Sequence, residues 1–121
     1  MPVSHPREIL VDGPTPLQHL PRLSDRLGIE LYVKRDDLAG PSIGGNKSRQ
    51  LEFYLGDAMA QKADTLLITG AVQSNFGRLA ASVARSRGLQ PIVQLEERVA
   101  SDATAYRRSG NVLLCEMLGA E

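Results

Sequence analysis

An α/β fold, a parallel sheet with flanking helices, is predicted by the order in which apolar patterns alternate along the chain. Three short β-rich runs, LYVKR (31–35), TLLIT (65–69) and PIVQL (91–95), alternate with segments whose apolar residues recur at helical spacing. Gly28, Gly88 and Gly119 stand where those helices should stop. With 121 residues, the chain is long enough to bury a core.

Each element follows in order. Residues 1–16 hold four prolines, and GPTP (13–16) should be extended or turn-like. A short helix is expected over 21–27, closed by Gly28. The strand at 31–35 leads into the turn-rich DDLAGPSIGGN. Leu51, Leu55, Ala58 and Met59 mark an amphipathic helix over 46–62, with Asn46 as N-cap and Lys47 in the first turn. After the strand at 65–69, a helix over 74–87 aligns Leu79, Ala80, Val83 and Ala84 on one face. The strand at 91–95 precedes a last helix over 111–118, with Cys115 on its apolar side as a small core residue. The pattern calls for another strand next, so the sequence is expected to continue past Glu121.

Composition excludes several classes. Fourteen basic residues balance 14 acidic ones, which gives no support to a nucleic-acid or anionic-membrane partner. A single cysteine cannot form an internal disulfide and fits a reducing compartment. No apolar run is long enough to span a bilayer, and MPVSHPREIL lacks the features of a signal peptide, so a soluble cytoplasmic protein is expected. No metal site is expected: His5 and His19 lack ligand spacing, and the adjacent carboxylates of RDD (35–37) suit solvation or a salt bridge. EER (96–98) reads as a solvated turn.

Ligands of parallel α/β sheets bind beyond the carboxyl ends of the strands. TGAVQSN (69–75) occupies such a position, and GGNK (44–47) is the other candidate loop. Lys47 is placed oddly, because a helix N-terminus disfavours cations. That environment favours the free amine, as a lysine that condenses with a carbonyl requires, including one that holds pyridoxal phosphate. Gly44 and Gly45 would let a planar ring approach the backbone. By spacing alone the simpler reading of Lys47, and the favoured one, is a solvated lysine after a flexible turn. QSN (73–75) offers three hydrogen-bonding side chains to a ring substituent or carboxylate, or simply caps a helix through Ser74 or Asn75.

VKRDDLAGPSIGGNKSRQLEFYLGDA (33–58), TLLITGAVQSNFGRLAA (65–81), VQLEER (93–98) and YRRSGNVLLCEMLGAE (106–121) together resemble the D-cysteine desulfhydrase and 1-aminocyclopropane-1-carboxylate deaminase family. The resemblance covers nearly the whole chain, and it is the pairing of GGNK with QSN that is specific. It implies an incomplete tryptophan-synthase-β-like domain (fold type II). Residues 1–52 would belong to the larger cofactor domain, ending in the lysine loop, and 53–121 would be part of a small α/β domain. The implied cofactor is pyridoxal 5'-phosphate, carried by Lys47, which would also act as catalytic base.

By the same resemblance Asn75 hydrogen-bonds the cofactor's phenolic oxygen, and Asn46 belongs to the cofactor-binding loop. Ser74 faces the substrate and takes part in catalysis, while Gln73 contributes to substrate binding and supports the loop. The implied partner is a small amino acid. D-cysteine would be cleaved to pyruvate, ammonia and sulfide; aminocyclopropane carboxylate or cysteate are the alternatives. Full-length relatives are expected to be homodimers.

Two residues depart from the family pattern and leave the substrate open. Gln50 stands where many relatives have lysine, and Phe76 where many have histidine. The family's phosphate-binding glycine loop, pyridine-nitrogen partner and substrate-facing tyrosine lie in a C-terminal portion outside this sequence. A family member is expected to be roughly twice this length or more. Two other readings stand beside the enzyme: a non-catalytic α/β domain that binds an anion at its helix N-termini, and an inactive truncated product with open sheet edges.

Overall fold

Residues 4–121 are described by a computed structural model. Pro14 and Pro16 stand just before β1 (Leu17–His19), the first regular element of the described residues, and α1 (Pro21–Leu27) follows. Pro21 opens α1, and Gly28 ends it in the left-handed conformation. β2 (Tyr32–Lys34) then turns back to pair antiparallel with β1, in register Leu17 to Lys34 and His19 to Tyr32. This corrects the expectation that LYVKR joins the parallel sheet. Tyr32 and Lys34 are exposed and Val33 is half-buried, as suits a half-exposed ribbon, whereas a parallel-sheet strand needs both faces covered.

α2 (Ser48–Ala60), β3 (Thr65–Ala71), α3 (Asn75–Ser86) and β4 (Gln90–Glu96) follow in the helix–strand order that the sequence predicts. β3 and β4 are parallel, in register from Thr65 opposite Gln90 to Ala71 opposite Glu96. α4 (Thr104–Arg108) and α5 (Asn111–Met117) complete the chain. The backbone of Glu121 then bonds Val93 and Pro91, which sets it in parallel fashion against the outer edge of β4.

α3 is the central helix. Leu79, Ala80, Val83 and Ala84 on its apolar face form one core with Leu51 and Leu55 of α2, Ile68 of β3 and Leu89. Its small residues let the helix lie close to the sheet. α5 packs on the same helix and buries Val112 and Cys115; burial pushes the Cys115 thiol up, against the opposing pull of Arg78. Arg85 of α3 donates to the carbonyls of Leu118 and Gly119, beyond the C-terminus of α5, where a cation is favoured. The division expected after residue 52 falls inside α2, whose Leu51 and Leu55 share this core.

The N-terminal strap crosses α2 at Gly56, where a Cβ would come within 2.5 Å of the Pro6 carbonyl carbon. Glu52 holds it there. Its carboxylate is fully buried and accepts from the backbone N–H groups of Leu10 and Val11, both at 2.9 Å, and from Arg7 Nε at 2.8 Å. Burial raises this carboxyl, but the two amides and the guanidinium outweigh it and hold Glu52 below its ordinary value.

That shift fixes a sign. A carboxyl with a lowered folded value stabilises the fold above its unfolded value, about 4.3, and loses the contribution as pH falls through the folded value. Glu52→Gln should therefore flatten the acid limb of stability against pH, measured by urea unfolding from pH 7 downward. Glu52→Ala should lower stability at pH 7 by about 2–4 kcal/mol, because it leaves three donors without their acceptor.

Candidate active site

The segment from Asp36 to Lys47 is wound tightly before α2 begins. A single 3-10 turn (Asp36–Leu38) is followed by positive φ at Gly40, Ser42, Ile43, Gly44 and Gly45. At Gly44 any side chain is excluded, since a Cβ would overlap the Asp37 carbonyl. Gly45 N–H donates to the Asp36 carbonyl at 2.8 Å, and Ser48 Oγ donates to that of Ala39 at 2.6 Å. Lys47 is thereby delivered at the mouth of α2.

Asn46 does not cap this helix, contrary to expectation. Lys47 is already in right-handed helical conformation and takes the flanking position, and no side chain caps α2. Asn46 lies one residue too early to reach the first-turn N–H groups, so its exposed amide remains on the rim.

The second segment leaves the carboxyl end of β3. Ser74 is the N-cap of α3, its Oγ accepting from Gly77 N–H at 3.0 Å. This is the capping role weighed from sequence, and the hydroxyl hydrogen remains free to donate. Asn75 opens the helix and is exposed, and Gln73 turns away toward the 106–111 turn.

Lys47 lines two neighbouring clefts, each of about 380 Å³. In one it meets Gly44, Gly45, Asn46, Asn75 and Arg78; in the other Ser74, Thr69, Gly70 and Tyr54. The lysine and the Ser74–Asn75 corner thus share walls. A larger cleft of about 490 Å³ runs between α2 and β3, but it holds no amine and is lined by Leu51, Leu66 and Ile68.

Carboxylates beside Lys47 are already engaged. Asp36 accepts from Thr15 Oγ1 at 2.6 Å and Arg49 Nη1 at 3.0 Å, and both hold it below its ordinary value. Asp37 is held down likewise by Arg35. Arg78, only 5% exposed, donates to the Ser42 carbonyl and hydroxyl. Among the described residues no carboxylate lies within ion-pair distance of Lys47 or Arg78. The cleft is thus lined by Lys34, Lys47, Arg78 and two carboxamides beside the engaged Asp36 and Asp37, a net positive set that suits an anionic ring compound.

Gln50 and Phe76 stand on one wall. Gln50 donates to the Tyr54 hydroxyl at 3.1 Å, and Tyr54 meets Phe76 edge-on with centroids 6.3 Å apart. All three line the cleft that holds Lys47 and Ser74. Arg78, Tyr54 and Asn111 of α5, which bonds both Gln73 and Asn75, were not singled out from the sequence. Only Arg78 carried a signal: a charge beside the apolar stripe of a helix needs a reason.

The pyridoxal-phosphate dependent enzyme family model matches residues 9–121. D-cysteine desulfhydrases of Salmonella paratyphi B and Salmonella newport are each 46% identical over 125 residues, covering 100% of this chain. The chain spans 38% of their length. A crystal structure of an ACC deaminase homologue superposes with a TM-score of 0.83 at 40% identity, over 97% of this chain and 34% of that one.

Two substitutions probe the loop. Gly44→Ala is expected to cost about 1–3 kcal/mol, read from urea unfolding, because it combines the Asp37 overlap with an unfavourable φ. Arg78→Ala should speed hydrogen exchange in the 40–47 peptide while β4 amides keep their protection.

Proposed function

The chain belongs to the pyridoxal-phosphate dependent enzyme family, and on that premise we propose that it is the Lys47-bearing part of a lyase or deaminase acting on a small amino acid. The observation that carries this reading is the convergence of Lys47, Ser74 and Asn75 on adjoining clefts. The donor set fits the cofactor: one amine for an aldehyde, one carboxamide for a ring oxygen, and cationic surroundings for a phosphorylated compound.

When bound, pyridoxal phosphate supplies a carbonyl with which amines condense and a ring that takes up electron density from the substrate's α-carbon. Lys47 Nζ would be that amine and would hold and move the proton at the α-carbon. Asn75 Nδ2 would donate to the ring oxygen, with Asn46 at the rim. Ser74 donates its hydroxyl to the substrate carboxylate or relays a proton. Gln73 acts by fixing the loop, its amide being engaged by Tyr106, Ser109 and Asn111. Tyr54, Gln50 and Phe76 form the wall against which a side chain is selected.

D-cysteine is the favoured substrate, giving pyruvate, ammonia and sulfide with uptake of one water. The likeness to an ACC deaminase homologue keeps 1-aminocyclopropane-1-carboxylate as the second reading. Release of sulfide with pyruvate, against release of 2-oxobutanoate, separates them. A homodimer in the cytoplasm is part of the proposal; for the compartment, the single, buried cysteine suits a reducing one. Among the described residues no helix is long and apolar enough to cross a membrane.

Incubation with pyridoxal phosphate, borohydride reduction and peptide mapping supply the test. The expected result is label confined to Lys47, absent after Lys47→Ala. Equal labelling of Lys34, Lys47 and Lys62 would mark merely accessible amines and overturn the assignment. Stabilisation by plain phosphate without labelling would instead identify an anion-binding domain.

A further inference from the structure

The side-chain amide of Asn75 has its orientation dictated by atoms far from the clefts. Gln73 faces the backbone carbonyls of Tyr106 at 2.6 Å and Ser109 at 2.9 Å on one side, so that end must be its NH2. Its other end meets the backbone N–H of Asn111 at 2.9 Å, so it must be the oxygen. The turn that supplies these groups is built around this side chain. Gly110 has φ +60°, and a Cβ there would lie 2.6 Å from Gln73 Oε1.

One atom of the Asn111 carboxamide lies 3.0 Å from the Gln73 carbonyl oxygen and 2.9 Å from Asn75. A backbone carbonyl only accepts, so that atom is the Asn111 NH2. The Asn75 atom facing it must then be Oδ1. With Oδ1 turned to Asn111, Nδ2 is the end of the Asn75 amide that has no partner among the described residues and is available to the cleft that Asn75 lines with Lys47.

We infer that Asn111 is a positioning residue: it fixes the Asn75 amide so that the cleft meets a hydrogen-bond donor and never an acceptor. This rests on the proposal that Asn75 donates to the cofactor's ring oxygen. A flipped Asn75 would set Oδ1 against that oxygen, acceptor against acceptor. The 106–111 turn is then part of the site although it touches no ligand.

Asn111→Asp makes the test sharp. A carboxylate accepts only, so Asn75 must turn its NH2 toward residue 111 and present Oδ1 to the cleft. Asn111→Ala merely removes the constraint, and thermal melting of both variants checks that the fold is intact. In the cofactor-free protein, NMR contacts between the Asn75 NH2 protons and residue 111 should be markedly stronger in Asn111→Asp than in the wild type. In the cofactor-loaded protein, Asn111→Asp should weaken pyridoxal phosphate binding about tenfold beyond Asn111→Ala and shift the visible band. Both effects should vanish in an Asn75→Ala background.

An Asn75 amide that does not reverse in Asn111→Asp overturns the inference whatever the cofactor does. So does a loss of affinity that persists in the Asn75→Ala background, since Asn111 would then act only on stability. An Asn75→Ala protein with unchanged affinity and band overturns instead the cofactor role of Asn75, and the NMR contacts still decide the orientation by themselves.

Discussion

A buried guanidinium joins the parts of this site that come from different stretches of chain. Arg78 projects from α3 and is held by the backbone and side chain of Ser42, in the loop that delivers Lys47. A buried charge without a carboxylate is costly unless polar groups meet it, and here the Ser42 carbonyl and hydroxyl accept from its Nη1. The same helix begins with Ser74 and Asn75. Lys47 and the Ser74–Asn75 corner are thus referred to one rigid element, and their spacing follows from the packing of α3 on the sheet and on α2.

From that anchor the polar groups sort by what they can still do. Asp36 and Asp37 are spent on Thr15, Arg49 and Arg35, so they neutralise neighbours and leave the Lys47 amine unpaired. Gln73 is spent on the 106–111 turn. Ser74 uses one lone pair on its own helix and keeps its hydrogen. What remains free at the clefts is an amine, a hydroxyl and an amide, the complement needed for a carbonyl cofactor and an amino-acid carboxylate.

Much of this was legible in the sequence because it is local. α1, α3, α5, β3 and β4 lie close to their expected bounds, since period, caps and glycine stops act within a few residues. β1 and the pairing of β2 were not legible, because three-residue strands carry no pattern of their own and antiparallel pairing is a tertiary fact. α4 lacks apolar periodicity and is held from outside by Gln73. At the site, Lys47, Ser74 and Asn75 stood out by type and spacing. Arg78 and Asn111 did not, because their roles exist only once distant segments meet.

Ile43 gives the lysine loop a direction of its own. It is a β-branched residue with φ of +66°, 74% exposed, beside Ser42 at +51°. Such backbone holds about 1–3 kcal/mol per residue that nothing in the residue itself recovers. The loop is therefore a cocked spring and Arg78 its latch. Without the Arg78 contact to Ser42, the segment would have less to hold it in that strained conformation.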